Sequence, residues 1–587
     1  MGLMQRAYET YEALAPKYAG IYDETQKEVF APISHIVTKA EIEITIDLEG
    51  KFHSARSIGR DEGKIIIPVT EDSAGRTSKP VAHPLCEQIG YLCQQDEDKY
   101  NLYVQQLTDW NNSSYSHPIL EAVLQYISKK SIQEDLKKAN LLKIDDNGKI
   151  KNEKNLVKWI VLGCEEPDCT KNKKLFSLFI AYYRAKMNSC MQDFCMLEGF
   201  RGRISNQHPK GIVAFNGNAK LISANDGTGF TYRGRFFDDN QAVSISYDAS
   251  QKAHSALRWL IANQGVSFGS RVFICWNPNG IKLPDINNSF LFATEPIVKY
   301  SDYQQNLQKT LNGWKTNLPL DSKAVIAAFD AATTGRLALT YYNELQASDF
   351  LDRLYAWDES CCWFKGSFGI QSPSLYHIIL YAFGNRRDEN KLECDDRIVK
   401  QQMQRLIACR IEKAMMPSDI ERALVCRCGN LQLYEKGLRE KILFTACAVI
   451  RKFHMDKAKE EWNLALEPSK KDRSYQFGRL LAIMEKAERD TYDRDEKREP
   501  NAIRLQPMFV QQPMKTSKTI IEQLKKAYFP RLNPGGRIFY DRMIAEIMNE
   551  ISDMNESWDA PLGDTYIMGY YLQKRELYQA KDKEDEQ

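Results

Sequence analysis

Two cysteine pairs, Cys164-x4-Cys169 and Cys190-x4-Cys195, are the strongest metal-ligating pattern in the chain. Tetrahedral zinc needs four thiolates or imidazoles converging at about 2.0–2.3 Å, and loop-borne pairs permit that. Four-residue gaps suit zinc less well than two-residue gaps, so packing of small apolar thiols is the stronger reading. Cys361-Cys362 and Cys426-Arg427-Cys428 have no second pair at metal spacing. The acidic pairs Asp238-Asp239, Asp395-Asp396 and Glu460-Glu461 have the charge of a magnesium site but no repeating carboxylate frame, and they read as solvated faces. No nucleophile elbow and no glycine-rich phosphate loop occurs. The sequence therefore points away from an enzyme and asks for no cofactor and no catalytic residue.

Side chains suited to binding are better placed. Arg233 and Arg235, flanked by Tyr232, Phe236 and Phe237, combine phosphate-binding charge with stacking surface, although an exposed strand pair with core aromatics fits them equally well. They lie in a run from His208 to Asn277 that reads as a scaffold. Its helix, about Asp248 to Asn263, sets Lys252, His254 and Arg258 near Trp259 and buries a stripe of Ala253, Ala256, Leu257 and Leu260. From Glu71 to Tyr91 the chain reads as a loop broken by Gly75, Pro80 and Pro84 and rich in hydrogen-bonding side chains. Such loops carry recognition when a rigid scaffold holds them.

The elements that must position these groups change character along the chain. Leu3, Ala7, Tyr8, Tyr11 and Leu14 have helical spacing and predict a helix ending before Pro16. Ile42, Ile44, Ile46 and Leu48 alternate with polar residues, and Ile65-Ile66-Ile67 follows, so a small sheet is expected. Helices are expected near Lys99–Trp110, His117–Ile127 and Leu175–Arg184. Strands are expected at Val157–Leu162, Gly211–Phe215, Val243–Tyr247, Arg271–Trp276 and Ala324–Phe329, with a helix from Leu339 to Trp357. After Phe368 long amphipathic segments dominate, including Glu435–Phe453, Lys457–Leu466, Tyr475–Arg489 and Asp564–Lys581. The fold class is α+β: a mixed sheet-and-helix amino-terminal body (1–370), a helical connecting region (371–474) and an all-helical carboxyl-terminal bundle (475–587).

With 587 residues, several cores are required. Net charge is only +2, so nucleic-acid contact would come from local patches and not from a basic coat. Fourteen cysteines, several in apolar surroundings, suit a reducing compartment. Met1–Arg6 runs into an amphipathic pattern without a signal-peptide core, and a cytoplasmic protein is expected.

Several short motifs, in order along nearly the whole chain, carry a family resemblance. They are His117-Pro118-Ile119-Leu120, His208-Pro209-Lys210, Lys220-Leu221-Ile222-Ser223, Ser250-Gln251-Lys252-Ala253-His254 through Leu260, Cys275-Trp276-Asn277, Gly335-Arg336-Leu337-Ala338 and Phe477-Gly478-Arg479-Leu480-Leu481. The chain resembles the large subunit of the type I-C CRISPR-associated surveillance complex, the Cascade large subunit of the Csd family.

The resemblance implies a non-catalytic subunit of an antiviral complex. It would sit at the 5′ end of the guide RNA, read the short motif beside the target in double-stranded DNA and support strand opening, leaving sequence specificity to guide pairing. Its partners would be guide RNA, target duplex, the backbone, crRNA-processing and small subunits, and a helicase-nuclease recruited after target binding; no membrane is involved. By position the motif-reading loop is Gly75-Arg76-Thr77-Ser78-Lys79 through His83 to Gln88. Commoner members carry Asn-Phe-Leu and Asp-Asn where this chain has His83-Pro84-Leu85 and Glu87-Gln88. Arg76 and Lys79 would hold phosphates, Gln88 would bridge adenine edges or minor-groove acceptors, Thr77 and Ser78 would support either, and His83 keeps a hydrogen-bonding side chain at the other end of the loop. The block from Tyr475 to Lys581 resembles the family's small subunit, and its Arg479, Lys525, Lys526, Arg531 and Arg537 would face displaced DNA or the guide–target duplex. Two rivals are a metal-dependent nuclease using Cys164 or Asp395 and a purely structural guide-RNA-binding subunit.

Overall fold

The structure is a computed structural model describing residues 2–59, 62–76, 79–188, 192–223, 235–237, 239–291, 295–493, 495–554 and 557–585. Helix takes 49% and strand 16%, with small sheets in the amino-terminal part and helices at the carboxyl end, so the fold is α+β. Contacts divide it into two compact units, Met1–Leu283 with Lys323–Glu344, and Pro284–Ser322 with Leu345–Gln587.

In the first unit β1 (His35–Lys39) pairs with β4 (Lys64–Pro68), while β2 (Ile42–Asp47), β3 (Phe52–Ser57), β5 (Glu87–Gln88) and β6 (Leu156–Leu162) form a sheet of order β3-β2-β6-β5. The alternation read in the sequence buries Ile42, Ile44 and Ile46. Each such side chain contributes about 1.5–3 kcal/mol on burial. β2 and β6 are parallel, with Ile44 opposite Trp159. Parallel pairing needs a long crossover, and the helices Glu97–Asn111 and Pro118–Ser128 lie within it. A short hairpin joins β7 (Gln192–Phe194) to β8 (Arg201–Arg203), and a second sheet runs in the order β12-β11-β10-β9, from Arg336–Gln346, Lys323–Thr333, Arg271–Trp276 and Val266–Phe268. The Tyr247–Gln264 helix packs on the Leu3–Tyr18 helix. Ser246 caps it by accepting from the Ala249 N–H at 3.1 Å.

Several boundaries differ from expectation. The first helix continues through Pro16 to Tyr18, because a proline in the last turn removes only one donor and the Ala19 N–H still closes on the Ala15 carbonyl. Gly211–Phe215 is not a strand; Ala214–Asn216 forms a 3-10 turn. Val243–Tyr247 makes a single bridge, Ser246 to Ile204, because Ser246 already begins the next helix. Thr340-Tyr341-Tyr342, three strand-favouring residues, belong to β12, and helix starts only at Ala347. The Lys436–Ala458 helix stops at Lys459, which has φ +56, so Lys457–Leu466 is not a helix. Trp462 then folds back beneath it, its carbonyl accepting from Arg451 Nε at 2.9 Å.

The second unit is built around the Arg473–Arg489 helix, buried on nearly every face by the Thr565–Asp585 and Pro534–Ser552 helices. Two glycines allow that closeness. A Cβ on Gly478 would lie 2.0 Å from the Tyr566 carbonyl oxygen, and one on Gly569 would lie 2.1 Å from that of Tyr475. The Phe477-Gly478-Arg479 motif is thus a helix-crossing point. Arg479 is buried there, donating to Gln573, Gln476 and the Pro468 carbonyl, so it does not face DNA. Its role is to tie the crossing to the preceding loop.

Candidate nucleic-acid interface

Thr70 opens the segment predicted as a loop. Its hydroxyl accepts from the Ser73 N–H at 3.1 Å while Ser73 accepts from the Thr70 N–H at 2.9 Å, a reciprocal cap that starts a short helix over Glu71–Gly75. Arg76 follows, and its guanidinium grips the fully buried Glu87 carboxylate in a two-pronged bond of 2.6 and 2.8 Å while donating to the Val81 carbonyl at 2.7 Å. Glu87 also accepts from the His83 and Gln88 backbone N–H groups, each at 2.6 Å. The segment is therefore a closed loop clasped at its base. Ala replacing Glu87 would leave a mostly buried arginine and two backbone donors unpaired. The expected cost is about 3–5 kcal/mol, read as a lower thermal midpoint; the Arg76→Met/Glu87→Met double variant should recover the part due to the stranded arginine charge and not the part due to the two backbone donors.

The clasp decides what each predicted residue does. Arg76 is committed to Glu87 and is unavailable as a free phosphate contact. His83 is buried, with Nδ1 3.0 Å from Ser73 Oγ, and burial pushes its pKa down to about 4, so the ring is neutral at pH 7. Gln88 is half-buried on β5, opposite Leu156. Lys79 is exposed. Thr77 and Ser78 lie outside the described residues, as does Arg233. Arg235 is exposed beside Phe236 and Phe237, the latter 95% exposed.

Arg76, His83 and Gln88 line one side of a groove of about 750 Å³. The run beginning at His208 lines the other, through Lys210, Gly211, Gln251, His254 and Arg258. Six cations line it, Lys39, Lys64, Arg76, Lys154, Lys210 and Arg258, against the carboxylates Glu28 and Glu41. Glu28 is 3.3 Å from Lys64 and 3.9 Å from Arg258. Lys210 donates to the Arg76 carbonyl at 3.2 Å and has no carboxylate partner among the described residues. Burial lowers its pKa, and Lys220 and Arg76 lower it further by repulsion. Lys220, bridged to Lys210 through the backbone, is also lowered by burial. A partly desolvated cation among cations is stabilised by an incoming anion.

Lys39, Lys154 and Lys210 were not singled out by sequence reasoning. Lys39 sits opposite Lys64 in the β1–β4 register and Lys154 lies two residues before Leu156, the partner of Gln88. Strand pairing places Lys39 and Lys154, Lys210 reaches the groove through its bond to the Arg76 carbonyl, and no linear motif marks that. The His208-Pro209-Lys210 motif did contain the third. His208 and His254 are buried, His208 with Nδ1 2.8 Å from Ser250 Oγ.

The metal candidates separate. Cys169 lies 3.5 Å from Cys86, whose thiol burial pushes well up, whereas Cys195 accepts from the Ser246 N–H at 3.2 Å in another cluster. Cys190 is outside the described residues. Among the described residues no three His, Cys, Asp or Glu side chains converge as a metal set. Asp395 caps the Asp396–Glu412 helix, accepting from the Arg397 N–H at 2.8 Å. No helix among the described residues is long and apolar enough to cross a membrane.

A family model described as CRISPR-associated protein (Cas_Csd1) matches residues 8–578, and the chain belongs to that family. No curated protein matches it. Membership suggests work in a complex with other CRISPR-associated proteins.

Proposed function

We propose that this chain is the DNA-binding large subunit of a type I-C RNA-guided complex in antiviral defence, cytoplasmic and without catalytic activity of its own. Its groove takes the phosphate backbone of the target duplex, while Gln88 and Lys79 on the clasped loop meet the motif flanking the target. Arg76 and His83 act as positioning residues that hold this loop in shape. Guide RNA and the backbone, crRNA-processing and small subunits are its partners, it supports strand opening, and a separate helicase-nuclease is recruited once the target is held.

The observation that carries this reading is the position of Lys210 in the groove, partly desolvated, without a carboxylate partner among the described residues and donating to the Arg76 carbonyl beside the loop. Phosphate contacts of this kind position a duplex, and neighbouring polar side chains then read base edges. Binding and cleavage assays with the assembled complex, on guide-matched duplexes with and without candidate flanking motifs, test it. The expected result is motif-dependent binding without cleavage. Metal-dependent cleavage lost on replacing Asp395 or Cys164, or binding indifferent to the flank, would overturn it.

A further inference from the structure

The Glu87 clasp closes the loop at its base, and a second buried carboxylate ties the loop's leading helix to the segment that runs into the opposite wall of the groove. Glu71, the first residue of that short helix, is buried and collects four donors. Its Oε1 accepts from Ser205 Oγ and from the backbone N–H groups of Asn206 and Gln207, each at 2.8 Å, and its Oε2 accepts from the Arg203 guanidinium. Its own backbone N–H donates to the Tyr183 hydroxyl at 2.9 Å. The Arg203 guanidinium carbon lies 4.9 Å from the centre of the Tyr247 ring and 5.5 Å from that of Tyr183, so aromatic rings fix the arginine as well.

Ser205 to Gln207 runs directly into His208-Pro209-Lys210, and Pro209 and Lys210 line the groove. The approach is close: a Cβ on Gly75, the last residue of the leading helix, would lie 2.1 Å from Gln207 Oε1. One residue further on, the Arg76 carbonyl accepts from Lys210 at 3.2 Å. Glu71 does not line the groove, so it acts through the two pieces it joins. A duplex presents its phosphates at fixed distances from its base edges. A cation that holds the backbone and a side chain that meets a base must therefore keep a fixed separation. Charge-assisted bonds gathered on one buried carboxylate supply that rigidity.

We propose that Glu71 is a positioning residue for reading the flank: it holds Lys210 at the separation from Gln88 and Lys79 at which one duplex meets all three. This rests on the reading of the groove as the duplex site. The test uses the assembled complex and a pool of guide-matched duplexes whose flanking bases are randomised. Flank preference is read as the ratio of affinities for the most and the least enriched flanks. In Glu71→Gln an amide nitrogen replaces one carboxylate oxygen and meets either Arg203 or the other donors, so one set is released. The ratio falls about tenfold, the scale of one base-edge contact. The salt slope and the affinity for the least enriched flank stay as in the parent, because every groove cation remains. Ser205→Ala leaves the other three donors on Glu71, keeps the fold and lowers the ratio about threefold. A merely structural role gives another pattern, a lower thermal midpoint with affinities reduced equally for all flanks, and that pattern overturns the proposal. An unchanged ratio in Glu71→Gln, or in Ser205→Ala where the first variant does not assemble, overturns the positioning role alone. A parent complex without flank preference overturns the reading of the groove together with it.

Discussion

Replacing Lys39, Lys154 and Lys210 together with alanine is expected to weaken duplex binding by about a thousandfold and to flatten its salt dependence. A charge-assisted contact contributes about 1.5 kcal/mol or more, roughly tenfold in affinity, and three are removed. Each phosphate neutralised on B-DNA adds about 0.9 to the slope of log affinity against log salt, so the slope should fall by about 2.7. The three residues share a groove but not a stretch of sequence. Two are exposed and the third carries a burial penalty that its removal relieves, so the loss should come without loss of thermal stability. Lys210→Ala alone should give the largest single effect, because its charge is the most desolvated of the three. An unchanged slope in the triple variant would mean that the groove is not the duplex site.

Acid is expected to unfold the first unit well before the carboxylates protonate. Four of its histidines are buried: His35, His83, His208 and His254. Burial lowers the pKa of His35, His83 and His254 to about 4 and that of His208 to about 3, against an ordinary value of 6.5. His35 and His254 each donate from Nδ1 to a backbone carbonyl, Ile33 and Ser250, so in each ring one nitrogen is already spent. The sign follows from proton counting. Between pH 6.5 and about 4 the unfolded chain binds up to four more protons than the folded one, so stability is fully present above 6.5 and lost as pH falls through that window. At its steepest the loss is about 5 kcal/mol per pH unit, comparable with the whole stability of a domain. Denaturant titrations of the first unit's transition at pH 7.5, 6 and 5 should show a steep decline, with one proton fewer in the slope for His254→Asn. A flat profile from pH 7.5 to 5 would contradict the burial of these rings.

Much of the fold could be read from the chain because period and burial agree there. Ile42, Ile44 and Ile46 alternate and lie in β2; Pro118 opens a helix as its missing N–H allows. Errors arose where neighbours outweighed local pattern. Pro16 is carried within a helix, and Thr340–Tyr342 is drawn into β12 by its partner strand. In the interface the loop from Arg76 to Gln88 was legible as a place, but the roles of its residues were not. Arg76 and Glu87 are eleven positions apart, and only the closed loop reveals that each neutralises the other. The same applies to Arg479, a basic residue by sequence and an internal tie in the structure. Lys39, Lys154 and Lys210 come from three distant segments that meet in the folded groove, which a linear reading does not encode.

The most direct test is discrimination of the flanking motif by the assembled complex, measured as the ratio of affinities for guide-matched duplexes with and without the motif, in the parent and in Gln88→Ala. The groove-and-loop account expects the ratio to collapse by about tenfold or more in the variant, as for loss of one base-edge contact, while the salt slope stays unchanged. An unaltered ratio in Gln88→Ala, and again in Lys79→Ala, would contradict it.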